Sequence, residues 1–202
     1  MDENKDISLK RRILDASQEL IVDGGYQNLS LRKIARKIGV SATSIYLHFD
    51  NKDHLIHTLM EKSIDKLNRQ LMERAREIEN PVSRLEALAR TYIEFALENP
   101  REYQIIYLVS SDAMTRYPKE KFREARRGYE VLTRTIEEGV QSGLMEEDNP
   151  RLASYSFWAQ LHGVMSVVLS RRLDNRIDRD EFIEQSLEQI VDGFHIRTAA
   201  VR

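Results

Sequence analysis

The chain contains no cysteine. No disulfide framework can brace it and no cysteine-ligated metal site can form, which suits a reducing cytoplasm. Proline is scarce, with four in 202 residues, and glycine numbers eight. That composition excludes a low-complexity or collagen-like chain and favours long regular elements. No apolar run approaches the roughly 18 residues that span a bilayer, so no membrane partner is expected. The opening MDENKDISLKRR is polar and lacks an apolar signal segment. It reads as a frayed polar arm in which Lys10, Arg11 and Arg12 could reach a minor groove. There is no phosphate-cradling or dinucleotide glycine pattern, and no Ser/His/Asp or carboxylate pair at legible spacing. An enzyme is therefore not expected, nor is a cofactor.

What is present is helical periodicity throughout, with no segment alternating as a strand. Three of the four prolines follow asparagine, at Asn80-Pro81, Asn99-Pro100 and Asn149-Pro150. Asparagine as N-cap with proline at the first helical position marks a helix start. The pattern predicts an all-α chain with helices at roughly 8–23, 31–38, 42–48, 52–78, 81–98, 100–112, 119–142, 150–172 and 179–198.

The densest signal runs from Leu29 to Leu55. Ser30 is an N-cap, and Leu31, Ile34, Ala35 and Ile38 follow at helical spacing. Gly39 can end that helix, and Ser41 opens a second from Ala42 to Leu47. Ile45 and Phe49 point inward, leaving Ala42, Thr43, Ser44, Tyr46 and His48 opposite. Small residues allow close approach to a groove, while Thr, Tyr and His can bond phosphates and base edges. Asp50 or Asn51 caps the next helix, with Lys52 in its first turn. From Ser30 to Lys52 there are five basic residues (Arg32, Lys33, Arg36, Lys37, Lys52) and one acidic (Asp50), a net of +4, whereas the whole chain is −2. Two short capped helices across a tight turn, in locally positive surroundings, form the layout of a helix-turn-helix DNA reader.

Residues 10–55 resemble the DNA-binding domain of the TetR family of bacterial transcription regulators. The resemblance rests on Arg12-Ile13-Leu14-Asp15-Ala16 through Leu20, Gly25-Tyr26, Ser30, Ile34-Ala35, Gly39-Val40-Ser41, Ile45-Tyr46, His48-Phe49, Lys52 and Leu55. It implies a helix-turn-helix domain over residues 1–52 and an effector-binding and dimerisation domain over 53–202. It also implies that Ala42, Thr43 and Ser44 lie against bases. Ser30, Tyr46, His48 and Lys52 would then hold phosphates, Arg32 would reach a base or a phosphate, and Ser41 would belong to the same surface as cap. The expected partners are a palindromic double-stranded DNA operator, a second copy of the chain and a small-molecule effector, hydrophobic because no buried charge cluster is evident. The expected function is ligand-released repression. Two other readings stay open: a DNA-binding architectural or division-control protein without effector, and a helical carrier or enzyme.

Effector-pocket candidates are Tyr92, Phe95, Tyr103, Ile106, Tyr107, Met114, Trp158, His162 and Met165, although aromatic stripes at helical spacing also fit a plain core. Trp158…His162-Gly163 resembles the Trp-His-Gly motif of one group of TetR-type C-terminal domains. Leu161, Val164, Val168, Ile183, Leu187, Ile190, Val191 and Phe194 are expected at a dimer interface, with closure of the monomer core as the alternative. His54, His57 and Glu61 share metal-ligand spacing, but a polar helix face explains them more simply, and no metal is expected.

Overall fold

The computed structural model describes residues 3–107 and 126–194. Among them it is all-α, with helices α1 (Glu3–Gly24), α2 (Leu31–Ile38), α3 (Ala42–Tyr46), α4 (Lys52–Arg76), α5 (Pro81–Glu98), α6 (Pro100–Tyr107), α7 (Arg127–Gln141), α8 (Pro150–Leu169) and α9 (Arg179–Asp192), and a 3₁₀ turn at Tyr26–Asn28. The expected frayed arm is instead the start of α1, which is helical from Glu3.

Capping explains most boundaries. The Ser30 hydroxyl accepts from the Lys33 amide at 3.2 Å, and that of Ser41 from Ser44 at 3.1 Å. Asn51, rather than Asp50, caps α4 through its Oδ1, which accepts from the His54 amide at 2.8 Å. Asn80 and Asn149 cap α5 and α8 in the same way. At Asn99 the side-chain oxygen accepts from Lys66 Nζ. Gly39 ends α2 at φ 70°, a left-handed conformation that a side chain would strain.

The chain divides into two compact units. Unit 1 comprises Met1–Lys66 and Asn99–Phe122; unit 2 comprises Leu67–Glu98 and Arg123–Arg202. This division differs from a boundary after residue 52, because α4 runs unbroken past that point and α6 groups with unit 1. In unit 1, Ile13, Ile34, Ile45, Phe49, Leu55, Ile56 and Leu59 form a core with no exposed area, and Ile105 of α6 joins it. Unit 2 packs α5, α7, α8 and α9 around Leu88, Phe95, Ile136, Phe157, Met165 and Leu187. Phe157 meets Phe194 edge-to-face at 5.2 Å.

α3 has only five residues and depends on the side chains it buries. Phe49→Ala should therefore destabilise unit 1 by about 3–5 kcal/mol, read by chemical denaturation. A destabilisation below about 1 kcal/mol would contradict this packing.

Candidate nucleic-acid interface

Burial of Ile45 and Phe49 fixes which side of α3 faces out. The exposed positions are Thr43, Tyr46 and Leu47, spaced i, i+3, i+4. Tyr46 is 54% exposed and Leu47 82%, the largest exposure of any big apolar side chain among the described residues. Leu47 is not among the DNA-facing residues expected from the sequence. The signal that points to it is simple: it lies four residues after Thr43, on the side of the helix opposite Ile45.

The expected contacts divide into outward and locally engaged groups. Thr43, Tyr46 and Arg32 are exposed, and His48 and Ala42 are half-buried beside them. Arg32 and Arg36 have no ion-pair partner among the described residues. Lys37 is paired with Glu19 at 3.1 Å, and Lys33 donates to the Asn28 carbonyl at 2.9 Å. Ser30 and Ser41 serve as caps, and Ser44 shares a 2.8 Å hydrogen bond with the Ser41 hydroxyl. Ser44 thus stiffens the start of α3. Lys52 departs furthest from expectation. Its ammonium donates to the Tyr26 carbonyl at 2.6 Å and lies 3.8 Å from the centre of the Tyr26 ring. Burial lowers its pKa below the ordinary lysine value, a shift that Asp53 opposes and Lys33 reinforces. Arg12, although exposed, donates to the Ile38 carbonyl at 2.6 Å, tying α1 to the end of α2. His54 is directed at Asp50, with Nδ1 3.1 Å from its carboxylate.

The pocket candidates fall in different places. Tyr103 is buried in unit 1, where its ring meets that of Tyr107 at 4.9 Å, and Ile106 is half-buried there. Tyr92, Phe95 and Met165 are buried in unit 2. Met114 lies outside the described residues. The candidates the fold does bring together are Tyr92, Trp158 and His162. The His162 ring stacks on Trp158 at 5.2 Å and 15°, and its Nδ1 is 3.4 Å from the Tyr92 hydroxyl. Tyr129 of α7 meets Trp158 edge-to-face at 5.3 Å and stacks on Tyr155 at 4.7 Å. The result is a row from the exposed Tyr155 to the buried Tyr92. Tyr129 has no local signal, since its place in the row depends on how α7 packs on α8. Burial lowers the His162 pKa, favouring the neutral imidazole.

A polar cleft of about 550 Å³ in unit 1 is lined by residues of α1, α4 and α6, including Arg11, Asp15, Lys66 and Glu102. Four of its five charged side chains pair with one another, Arg11 with Asp15 at 3.8 Å and Lys66 with Glu102 at 3.7 Å. Its buried Ser63 donates to the Leu59 carbonyl. Such self-paired, solvated charges give a ligand little to bind.

Six of the side chains expected at a dimer interface are buried within unit 2 itself: Leu161, Ile183, Leu187, Ile190, Val191 and Phe194. Val164 and Val168 are half-buried. The outer face of α8 carries Leu152, Tyr155, Ser156, Ala159 and Gly163, all exposed. A Cβ at Gly163 would meet no atom within 4 Å.

Two family models match the chain. The one described as "Bacterial regulatory proteins, tetR family" matches residues 13–59. The one described as "Tetracyclin repressor-like, C-terminal domain" matches residues 85–192, more than half of the chain. The chain is 24% identical over 186 residues to the fatty acid metabolism regulator protein of Bacillus subtilis (strain 168), covering 91% of this chain and 94% of that protein. Among solved structures it is similar in fold to a fatty acid degradation regulator from Bacillus halodurans, with TM-score 0.74, 20% identity, and 90% and 94% of the two chains covered. A tetR-family regulatory protein from Rhodococcus RHA1 gives TM-score 0.76 at 17% identity, with 92% and 96% covered. The exposed face of α3, the helices that support it and the helical domain that follows have one common explanation: the chain belongs to the tetR family of bacterial regulatory proteins.

Proposed function

We propose that this protein is a homodimeric repressor that binds a palindromic operator through unit 1 and is released by a fatty-acyl effector bound in unit 2. The observation that carries the DNA-binding reading is the outward face Thr43–Tyr46–Leu47 on a helix whose other side is fully buried. A major groove supplies what each side chain lacks in solution. Thymine methyl groups suit Leu47 and the Thr43 methyl, and a phosphate suits the Tyr46 hydroxyl. Ser30, Arg32 and His48 flank this face and hold the backbone, while Ala42 allows close approach. The face carries no arginine, glutamine or asparagine for a bidentate base contact. Specificity therefore rests on methyl contacts, backbone positioning and DNA shape.

A two-fold protein matches a palindromic site. The outer face of α8 is the surface that suits this role, because Ser156, Ala159 and Gly163 let a second helix approach closely between the exposed Leu152 and Tyr155 and the helix end. Half-sites would lie about one helical turn, roughly 34 Å, apart.

The effector class is supported by the fatty acid metabolism role of the Bacillus subtilis relative and by the aromatic row in unit 2. Apolar walls with a few polar groups suit an acyl chain with a polar end. Neutral His162 beside Tyr92 can bond a carbonyl without an ionic partner. Release requires that the effector bind the non-operator state more tightly; tight binding to both states shifts nothing.

A gel-shift series on the DNA flanking the protein's own gene should give a specific complex that weakens steeply with salt. Tyr46→Ala should cost about tenfold in affinity, roughly 1.4 kcal/mol, and no specific complex at low salt would overturn the reading. Gly163→Arg should convert the dimer to a folded monomer by sedimentation, since the added side chain enters open space in the monomer. A dimer unchanged by this substitution would remove α8 from the interface. His162 has its pKa lowered on folding, so stability is full above its unfolded value of about 6.5 and falls as pH drops below it. His162→Gln should shrink the fall in melting temperature between pH 7.5 and 5.5; an undiminished fall assigns it to other groups.

A further inference from the structure

The first two residues of α4 grip one residue of the turn between α1 and α2. Lys52 Nζ donates to the Tyr26 carbonyl at 2.6 Å, beside the Leu29 amide, which closes the turn on the same oxygen at 3.1 Å. The same ammonium lies 3.8 Å from the centre of the Tyr26 ring, within cation–π range. At the far end of that ring, the Tyr26 hydroxyl donates to Asp53 Oδ1 at 3.0 Å. Consecutive residues thus hold Tyr26 at its backbone and at its tip. The turn they hold runs directly into buried Leu29 and the α2 cap Ser30. Lys33 Nζ and Asn28 Nδ2 add bonds to the same turn, at 2.9 Å to the Asn28 carbonyl and 2.7 Å to the Gly24 carbonyl.

A lysine whose ammonium is half-buried against a carbonyl and an aromatic face is poorly placed to serve as a free phosphate contact. Its lowered pKa agrees with that setting. Resting on the DNA-binding reading above, we infer that Tyr26, Lys52 and Asp53 form a joint that fixes the start of α4 to the helix-turn-helix. Lys52 then acts on DNA as a positioning residue, through Tyr26, rather than as a phosphate ligand.

The two roles differ in salt dependence. Removing one phosphate ligand reduces the slope of log affinity against log salt by about 0.9. With the full chain and its operator fragment, Lys52→Met should weaken binding about tenfold with the slope unchanged. Tyr26→Leu should do the same, and the double variant should bind little more weakly than either single one, as coupled residues do. Tyr26→Phe keeps the ring and removes the bond to Asp53; it should fall between these and the wild type. A slope reduced by about one in Lys52→Met, with effects that multiply in the double variant, would overturn the joint in favour of a phosphate ligand. Amide exchange on the DNA-free protein separates this inference from the function it rests on. Residues 26–33 should exchange at least several-fold faster in Lys52→Met, with global melting retained. If the wild type forms no specific complex, the DNA-binding reading falls and exchange alone decides: unchanged rates at residues 26–33 would overturn the joint.

Discussion

Helix α3 is five residues long, too short to persist by its own hydrogen bonds. Everything it can do depends on the inward anchoring of Ile45 and Phe49, neither of which retains exposed area. At about 1.5–3 kcal/mol for each large apolar side chain buried, these two anchors supply roughly 3–6 kcal/mol. They also decide which residues look outward. Because Ile45 is fixed to the core of Ile13, Ile34 and Leu55, Thr43, Tyr46 and Leu47 can face only solvent or DNA. The cap at Ser41 and its bond to Ser44 set where the helix begins, and the left-handed Gly39 sets the angle at which it leaves α2.

Much of this is legible in the sequence because it is local chemistry. Ser30, Ser41, Asn80 and Asn149 act as the caps their positions imply, and the described helices follow the apolar periodicity. What is not legible depends on packing between segments far apart in the chain. Periodicity shows that α8 and α9 are apolar, but not whether Leu161, Leu187 and Ile190 meet their own unit or a partner; the fold buries them within unit 2. The inward turn of Lys52 requires Tyr26, twenty-six residues earlier, to be already in place. The row Tyr155–Tyr129–Trp158–His162 joins α7 to α8, and no spacing within one helix marks Tyr129.

The same residues connect structure to regulation. α4 contains neither proline nor glycine between Lys52 and Arg76, so the chain has no built-in break where it passes from unit 1 into unit 2. Its first turn holds Tyr26, and its later residues Leu67 and Leu71 are buried. The proposed effector would act by preferring one of two states of the chain. The energy available is only the effector's preference between two states, so a modest preference suffices only if the operator-competent state is itself modestly favoured.

On the proposed reading Thr43, Tyr46 and Leu47 face the DNA, with Leu47 supplying apolar contact where no bidentate side chain is present. The most direct measurement is in vitro selection of bound sequences from random duplex DNA, run in parallel on the wild type and Leu47→Ser. A two-fold symmetric consensus is expected for the wild type, with one thymine in each half-site whose preference disappears in Leu47→Ser while the rest of the consensus remains. An identical consensus for the two proteins, or no consensus for the wild type, would contradict it.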